Sequence, residues 1–233
     1  MLPQSSHDHA EECVVPAGEY PLSPLLGGNH LTDGFSMDRF CVTNARFGQF
    51  VEAGGYDDFD LWSDEGWAWR LESHATAPRW WHTDHAHWKQ FQSPDRPVIG
   101  ICWHEAQAFC EFNNRRLPTE AEWEVAARGS EGFLYPWGDR WEDGRVRIRG
   151  MGPRLTWPIG EHPGARGPFG HEELIGNVWQ WTSDPWPEGH EGQSFAVRGA
   201  AWSARPEHCR SDHRNAYPSH DRWSHVGFRT VAR

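Results

Sequence analysis

Three stretches of this 233-residue chain gather side chains that can do chemistry. "WWHTDHAHW" carries His82, Asp84, His85 and His87. An H-x-D or H-x-H pair can supply part of a two-histidine, one-carboxylate iron site, and the same segment reads equally as a solvated His/Trp loop. "RGAAWSARPEHCRSDHR" (198–214) holds one thiol, Cys209, among arginines and histidines, with Ala204 five residues before it. "ELIGNVWQWTSD" (173–184) threads Asn177 and Gln180 among Trp179 and Trp181. Amides set between tryptophans bound for the interior have two uses. Their oxygens can join backbone carbonyls around a hard cation such as calcium, or they can satisfy the buried backbone of a loop.

Such residues need elements to hold them. "NARFGQFVEA" predicts a helix over 44–53: Thr43 or Asn44 caps it, Phe47, Phe50 and Val51 share one face, and Gly54-Gly55 ends it. A second helix is expected over 104–114, with Ala106, Phe109 and Cys110 inward. A third opens in "LPTEAEWEVAARG", where Thr119 and Glu122 have capping-box spacing and Arg128 and Gly129 give the stop signal. Short strands are expected near 35–42, 98–102, 195–200 and 226–231, the last two as a returning antiparallel pair. Residues 1–14 read as a flexible tail and 15–233 as a single domain, with loops dominating its second half.

Composition narrows the function classes. Net charge is −11, from 33 acidic and 22 basic residues, so the overall balance gives no positive footprint for nucleic acid or anionic membrane. No run of 18 apolar residues exists to span a bilayer. The start, "MLPQSSHDHAEEC", lacks the basic and apolar regions of a signal peptide, and a cytoplasmic location is expected. Five scattered cysteines without a C-x-x-C predict reduced, buried thiols and no disulfide framework. Only 37% of residues are apolar, but 16 Trp and 12 Phe can fill a core.

Nine ordered segments carry a resemblance. "VPAGEY", "VTNARF", "WSDEGWAWR", "RLPTEAEWEVAARG", "YPWGD", "GNVWQWTSD", "VRGAAW", "CRSDHRNAYP" and "GFRTV" run from about residue 15 to the end. Together they resemble the formylglycine-generating enzyme, or sulfatase-modifying factor, family, which includes the catalytic domain of the ergothioneine-type sulfoxide synthases. The resemblance implies a loop-rich α+β fold of C-type-lectin type, with few short helices and short antiparallel strands. It implies a structural calcium ion held by the side chains of Glu173 and Gln180 and the carbonyls of Gly176 and Val178, with Gln180 standing where the family has Glu. A second calcium loop of the family has Asn where this chain has Arg147, which would repel a cation. The family's functional face maps to Trp202, Ser203, Arg205, His208, Arg214, Tyr217, His220 and Trp223, with Cys209 as the catalytic candidate. Flat aromatics, guanidinium groups and imidazoles suit a polar or peptide ligand, although Arg214 and Tyr217 can equally pin loops. Arg198 and Arg229 are expected to be structural.

Activity does not follow from the resemblance. The copper-binding members use two cysteines, because soft thiolates select Cu(I), and Ala204 replaces the first of them. The sulfoxide synthases hold iron mostly through an extra N-terminal helical domain, which the roughly 15 residues before the shared region cannot supply. Iron or copper thus lacks a ligand motif here. Two functions are expected to compete. One is a metal- and oxygen-dependent oxidoreductase acting on a thiol, small molecule or peptide. The other is a catalytically silent lectin-fold module that binds a ligand or protein partner through the same C-terminal face.

Overall fold

A computed structural model of the chain describes residues 11–161, 165–187 and 193–233. The N-terminal half contains β1 (Glu12–Val15), β2 (Gly18–Pro21), β3 (Asn29–Thr32) and β4 (Phe35–Asp38), followed by helices α1 (Asn44–Glu52), α2 (Asp64–Ser73), α3 (Ala86–Lys89) and α4 (Trp103–Phe112). After β5 (Arg115–Arg116) and α5 (Glu120–Arg128), a long irregular stretch leads to β6 (Trp179–Pro185), β7 (Ser194–Arg198), β8 (Arg214–Pro218), β9 (Val226–Gly227) and β10 (Val231–Ala232). The fold is α+β with short helices and curled sheets, as the resemblance implies. No described helix is long and apolar enough to cross a membrane.

Local chemistry explains the helices. Thr43 Oγ1 accepts from Arg46 N at 3.3 Å and starts α1, whose Phe47 and Phe50 are fully buried. Thr119 and Glu122 close a reciprocal capping box at the head of α5, with N–O distances of 3.1 and 2.8 Å. Sequence reasoning overlooked α2, although its signal was present: Ser63 Oγ accepts from Gly66 N at 3.1 Å, and Asp64 and Glu65 occupy the first turn.

Three expectations need correction. Residues 12–14, expected in the tail, form β1 and pair with β4 (Cys13 opposite Met37); residues 1–10 of the tail lie outside the described residues. The segment 98–102 joins no sheet as a strand; Val98 N reaches Val42 O at 2.9 Å, and the chain bends at Gly100, which adopts φ 70° to pass beneath Trp80. The strands near 195–200 and 226–231 do not pair with each other. β7 lies between β6 and β8, while β9 runs parallel to β6 on its far side, giving the order β8-β7-β6-β9. A parallel partner two loops away leaves no hairpin signature in sequence.

The second four-stranded sheet has the order β1-β4-β10-β5, and β2 and β3 form a separate ribbon. Between the sheets, Phe47 stacks on Phe109 at 5.4 Å, and Phe228 meets Phe109 edge-on at 5.3 Å. Trp103 stacks on Phe195 at 3.6 Å and ties α4 to β7. All five cysteines are free and buried.

Candidate functional site

The amides among the tryptophans are fully employed. Gln180 is wholly buried at the start of β6. Its Oε1 accepts from Trp123 Nε1 at 2.8 Å and from Arg229 Nε at 2.7 Å, and its Nε2 donates to the carbonyls of Glu173 (3.0 Å) and Leu174 (3.3 Å). Asn177, left-handed at φ 61°, brackets Trp157: Oδ1 accepts from its N–H at 2.8 Å and Nδ2 donates to its carbonyl at 3.1 Å. Asn177 Nδ2 also reaches Glu173 Oε2 at 3.0 Å, and Glu173 Oε1 accepts from Gly160 N at 3.1 Å. Burial pushes the Glu173 carboxyl up to about 7. Gly176 must be glycine, since a Cβ there would stand 2.7 Å from the Arg147 carbonyl and φ is 83°.

These contacts do not fit calcium at Gln180. Both lone pairs of its oxygen are occupied, one by a guanidinium, and its N–H group already covers loop carbonyls that a cation would otherwise draw on. Gln180, expected beside Glu173, Gly176 and Val178 as a calcium ligand, serves instead as an internal hydrogen-bonding post. Arg229 holds the same junction, donating to the carbonyls of Asp38, Arg39 and Glu172.

Cys209, expected as the catalytic candidate, lies inside the fold. It is fully buried, its thiol donates to the Arg205 carbonyl at 3.3 Å, and burial pushes it up to about 12. A thiol so placed is neither a ready nucleophile nor a ready thiolate ligand. With Ala204 at the other position, the chain's own residues do not build a two-thiolate copper centre. Among the described residues, no group of three or more His, Cys, Asp or Glu side chains is placed to hold a metal ion. In the histidine-rich loop, Asp84 pairs with Lys89 at 3.0 Å and His85 Nδ1 accepts from His87 N at 3.3 Å, capping α3.

The C-terminal face divides. Arg214 belongs to the core framework: it grips Glu120 with two nitrogens and lies 4.2 Å over Trp186. Arg198 is wholly buried and pairs with Glu120 (3.1 Å) and Glu124 (2.6 Å), as expected of a structural arginine. Tyr217, Trp223 and His225 form an aromatic cluster on which Tyr217 OH meets His225 Nε2 at 3.2 Å. His220 opens on a hollow of about 690 Å³ with Trp69 and His104, a residue sequence reasoning missed. His104 Nδ1 is buried without a partner, and burial with nearby His220 pushes its ring down to about 4. Arg205 and His208 stay exposed, with His208 facing His213 at 5.0 Å.

Trp202 and Ser203 go elsewhere, into a half-open pocket of about 470 Å³ that also draws in His87, Arg147, Arg149 and Arg154. The indole is fixed by Trp202 Nε1 donating to Ser224 O at 3.2 Å, and the run 147–149 is held alongside by Arg149 N donating to Ala204 O at 2.9 Å. The alternation in "RVRIR" (145–149) was the sequence signal for these arginines.

Comparison with known proteins gives a consistent picture. A sequence model of the sulfatase-modifying factor enzyme 1-like domain matches residues 2–233. The chain is 33% identical over 215 residues to a hercynine oxygenase of Mycolicibacterium thermoresistibile, covering 80% of this chain and 48% of that protein. It is 30% identical over 249 residues to the formylglycine-generating enzyme of Mus musculus, covering 86% of this chain and 66% of that protein. The chain thus spans about half the length of the hercynine oxygenase it matches. In fold it agrees with the structure of PvdO from Pseudomonas aeruginosa, with a TM-score of 0.73 at 21% identity, over 96% of this chain and 94% of the other.

Proposed function

The chain belongs to the sulfatase-modifying factor enzyme 1-like domain family, and from that membership we propose that it is an oxidoreductase of the formylglycine-generating type that oxidises a small-molecule or peptide substrate with oxygen and a transition metal. The observation that carries this reading is the pocket beside Trp202 and Ser203, which is of a size to enclose a small substrate and lies on the C-terminal segment where the family resemblance puts the working face. The likeness to hercynine oxygenase and to formylglycine-generating enzyme supports it. Within the pocket the Trp202 ring offers a flat contact, the Ser203 hydroxyl a donor and acceptor, and the His87 imidazole a group that can pass a proton. A metal would supply the oxygen chemistry; among the described residues no group of three or more His, Cys, Asp or Glu side chains is placed to hold one.

Oxygen uptake by the purified protein, with ferrous or cuprous ion added, tests the reading. Uptake matched to oxidation of a small thiol is expected. A peptide carrying Cys-x-Pro-x-Arg should stay unconverted, because Ala204 and the buried Cys209 leave no exposed thiolate pair. Copper-dependent conversion of that peptide to an aldehyde would refute the assignment of Cys209, and no uptake with either substrate would favour the silent binding module.

A further inference from the structure

Arg147 is an oddity of the fold. The residue is only 2% exposed, yet among the described residues no carboxylate pairs with it. Its Nε donates to Leu155 O at 2.9 Å, its guanidinium lies 5.1 Å from the Trp157 ring, and its Nη1 is buried with no partner at all. Removing a guanidinium from water without a counter-charge is costly, and folded chains ordinarily pair such groups. The other buried arginines follow that rule or find several acceptors: Arg198 has two glutamates, and Arg229 has Gln180 and three carbonyls. Burial, helped by the nearby cation Arg96, pulls the Arg147 guanidinium below its ordinary range.

Arg147 is one of the residues that line the pocket. Gly152, in the wall, would bring a Cβ to 3.3 Å from Nη1 if it had one, so glycine keeps the space beside that nitrogen open. Arg149 and Arg154 stand in the same wall, both exposed and without an ion pair among the described residues, and His87 completes the basic lining. No carboxylate lies among the lining residues. In a chain of net charge −11, such a wall is a local reversal of sign.

We propose that this pocket is a receptor for the oxyanion group, carboxylate or phosphate, of a small molecule, with the Arg147 guanidinium as its buried anchor and Arg149 and Arg154 as its entrance charges. A planar guanidinium meets two oxygens of such a group at once. Trp202 and Ser203 face the remainder of the ligand. The absence of an acid in the wall disfavours ligands whose recognition needs an ammonium partner. This names the substrate class for the oxidoreductase reading and rests on it only for the word substrate; the test reads binding, so the two ideas fail separately.

The test is thermal melting of the whole protein with citrate, with pyrophosphate and with chloride at matched ionic strength. At about 100 times Kd, the bound oxyanion should raise Tm by roughly 5–10 °C over chloride. A rise with citrate alone assigns a carboxylate ligand, and a rise with pyrophosphate alone assigns a phosphate. Arg147→Met removes an uncompensated buried charge, so the ligand-free protein should melt no lower than wild type while the oxyanion shift disappears. The paired change Arg149→Gln with Arg154→Gln, at exposed positions, should weaken binding about tenfold or more without moving the ligand-free Tm. Equal melting in all three salts, or a full shift retained by the Arg147→Met protein, overturns the proposal.

Discussion

Gln180 shows how one side chain can replace an ion. Its N–H group sits on the Glu173 and Leu174 carbonyls, and its oxygen serves Trp123 and Arg229. Wild-type protein should therefore melt at the same temperature in excess calcium and in chelator. Gln180→Glu would turn a carboxylate oxygen against those two carbonyls. In chelator the variant should lose about 1–3 kcal/mol, the cost of unsatisfied and opposed polar groups. Calcium should return part of that loss, since a carboxylate beside carbonyls is a cation's donor set. A calcium-stabilised wild type would restore the metal reading of the loop. Sequence reasoning named both uses for this amide and favoured calcium. The choice is made by Trp123 and Arg229, which are 57 and 49 residues distant and unseen in any local pattern.

At the scale of elements, α5 is the chassis of the C-terminal face. Its capping box was legible because Thr119 and Glu122 are three residues apart, and local spacing is what a sequence displays. Its buried acids were not. Glu124 is wholly buried, accepts from Arg198 Nη2 at 2.6 Å and from Ser23 Oγ at 3.1 Å, and so joins α5 to β7 and to the N-terminal loop. Glu120 takes both Arg198 and Arg214. Glu124→Ala would strand part of the Arg198 charge in the interior and should cost about 3–5 kcal/mol in denaturant unfolding. Arg205→Ala, at a pair 3.7 Å apart and more than half exposed on both sides, should stay within about 0.5 kcal/mol. Equal costs for the two would show that the buried network is no stronger a tie than the surface pair. The same division of labour explains why the candidate face came apart: Arg214 and Cys209 share its sequence segment with Trp202 and Ser203, but strand alternation and the turn at 206–208 send them inward.

The whole molecule carries its acid response in its histidines. His171 is fully buried with neither ring nitrogen partnered, and burial pushes it down to about 3; His104 is pushed down to about 4. Both are neutral in the fold, whereas the unfolded chain protonates them below about 6.5. Below that pH the unfolded state binds more protons, so stability falls as pH falls. Glu173 acts oppositely: raised to about 7, it holds a proton in the fold that the unfolded chain gives up above its ordinary 4.5. Of these three groups, two against one leave a net loss of about 1.4 kcal/mol per pH unit from pH 6.5 to 4.5, and His213 and His225, which burial also pushes down, add to it. His171→Phe should remove one of the two, and relative to wild type it should gain about 2 kcal/mol on going from pH 6.5 to pH 5, read by urea unfolding. A pH-independent difference between the two proteins would place a charged His171 inside the fold.

The sheet order β1-β4-β10-β5 sets a timetable as well as a shape. Val231 sits opposite both Met37 and Arg116, so β10 is the strip that joins β4 to β5. On a ribosome, which adds about 5–20 residues per second, β4 and β5 emerge long before the strip that unites them. The nascent chain must therefore carry an open sheet edge, with Phe47, Phe50 and Phe109 already made, until residue 232 has cleared the exit tunnel. Closure of this sheet thus waits for β10, and until it arrives the facing edges of β4 and β5 stay open to chaperones and to aggregation.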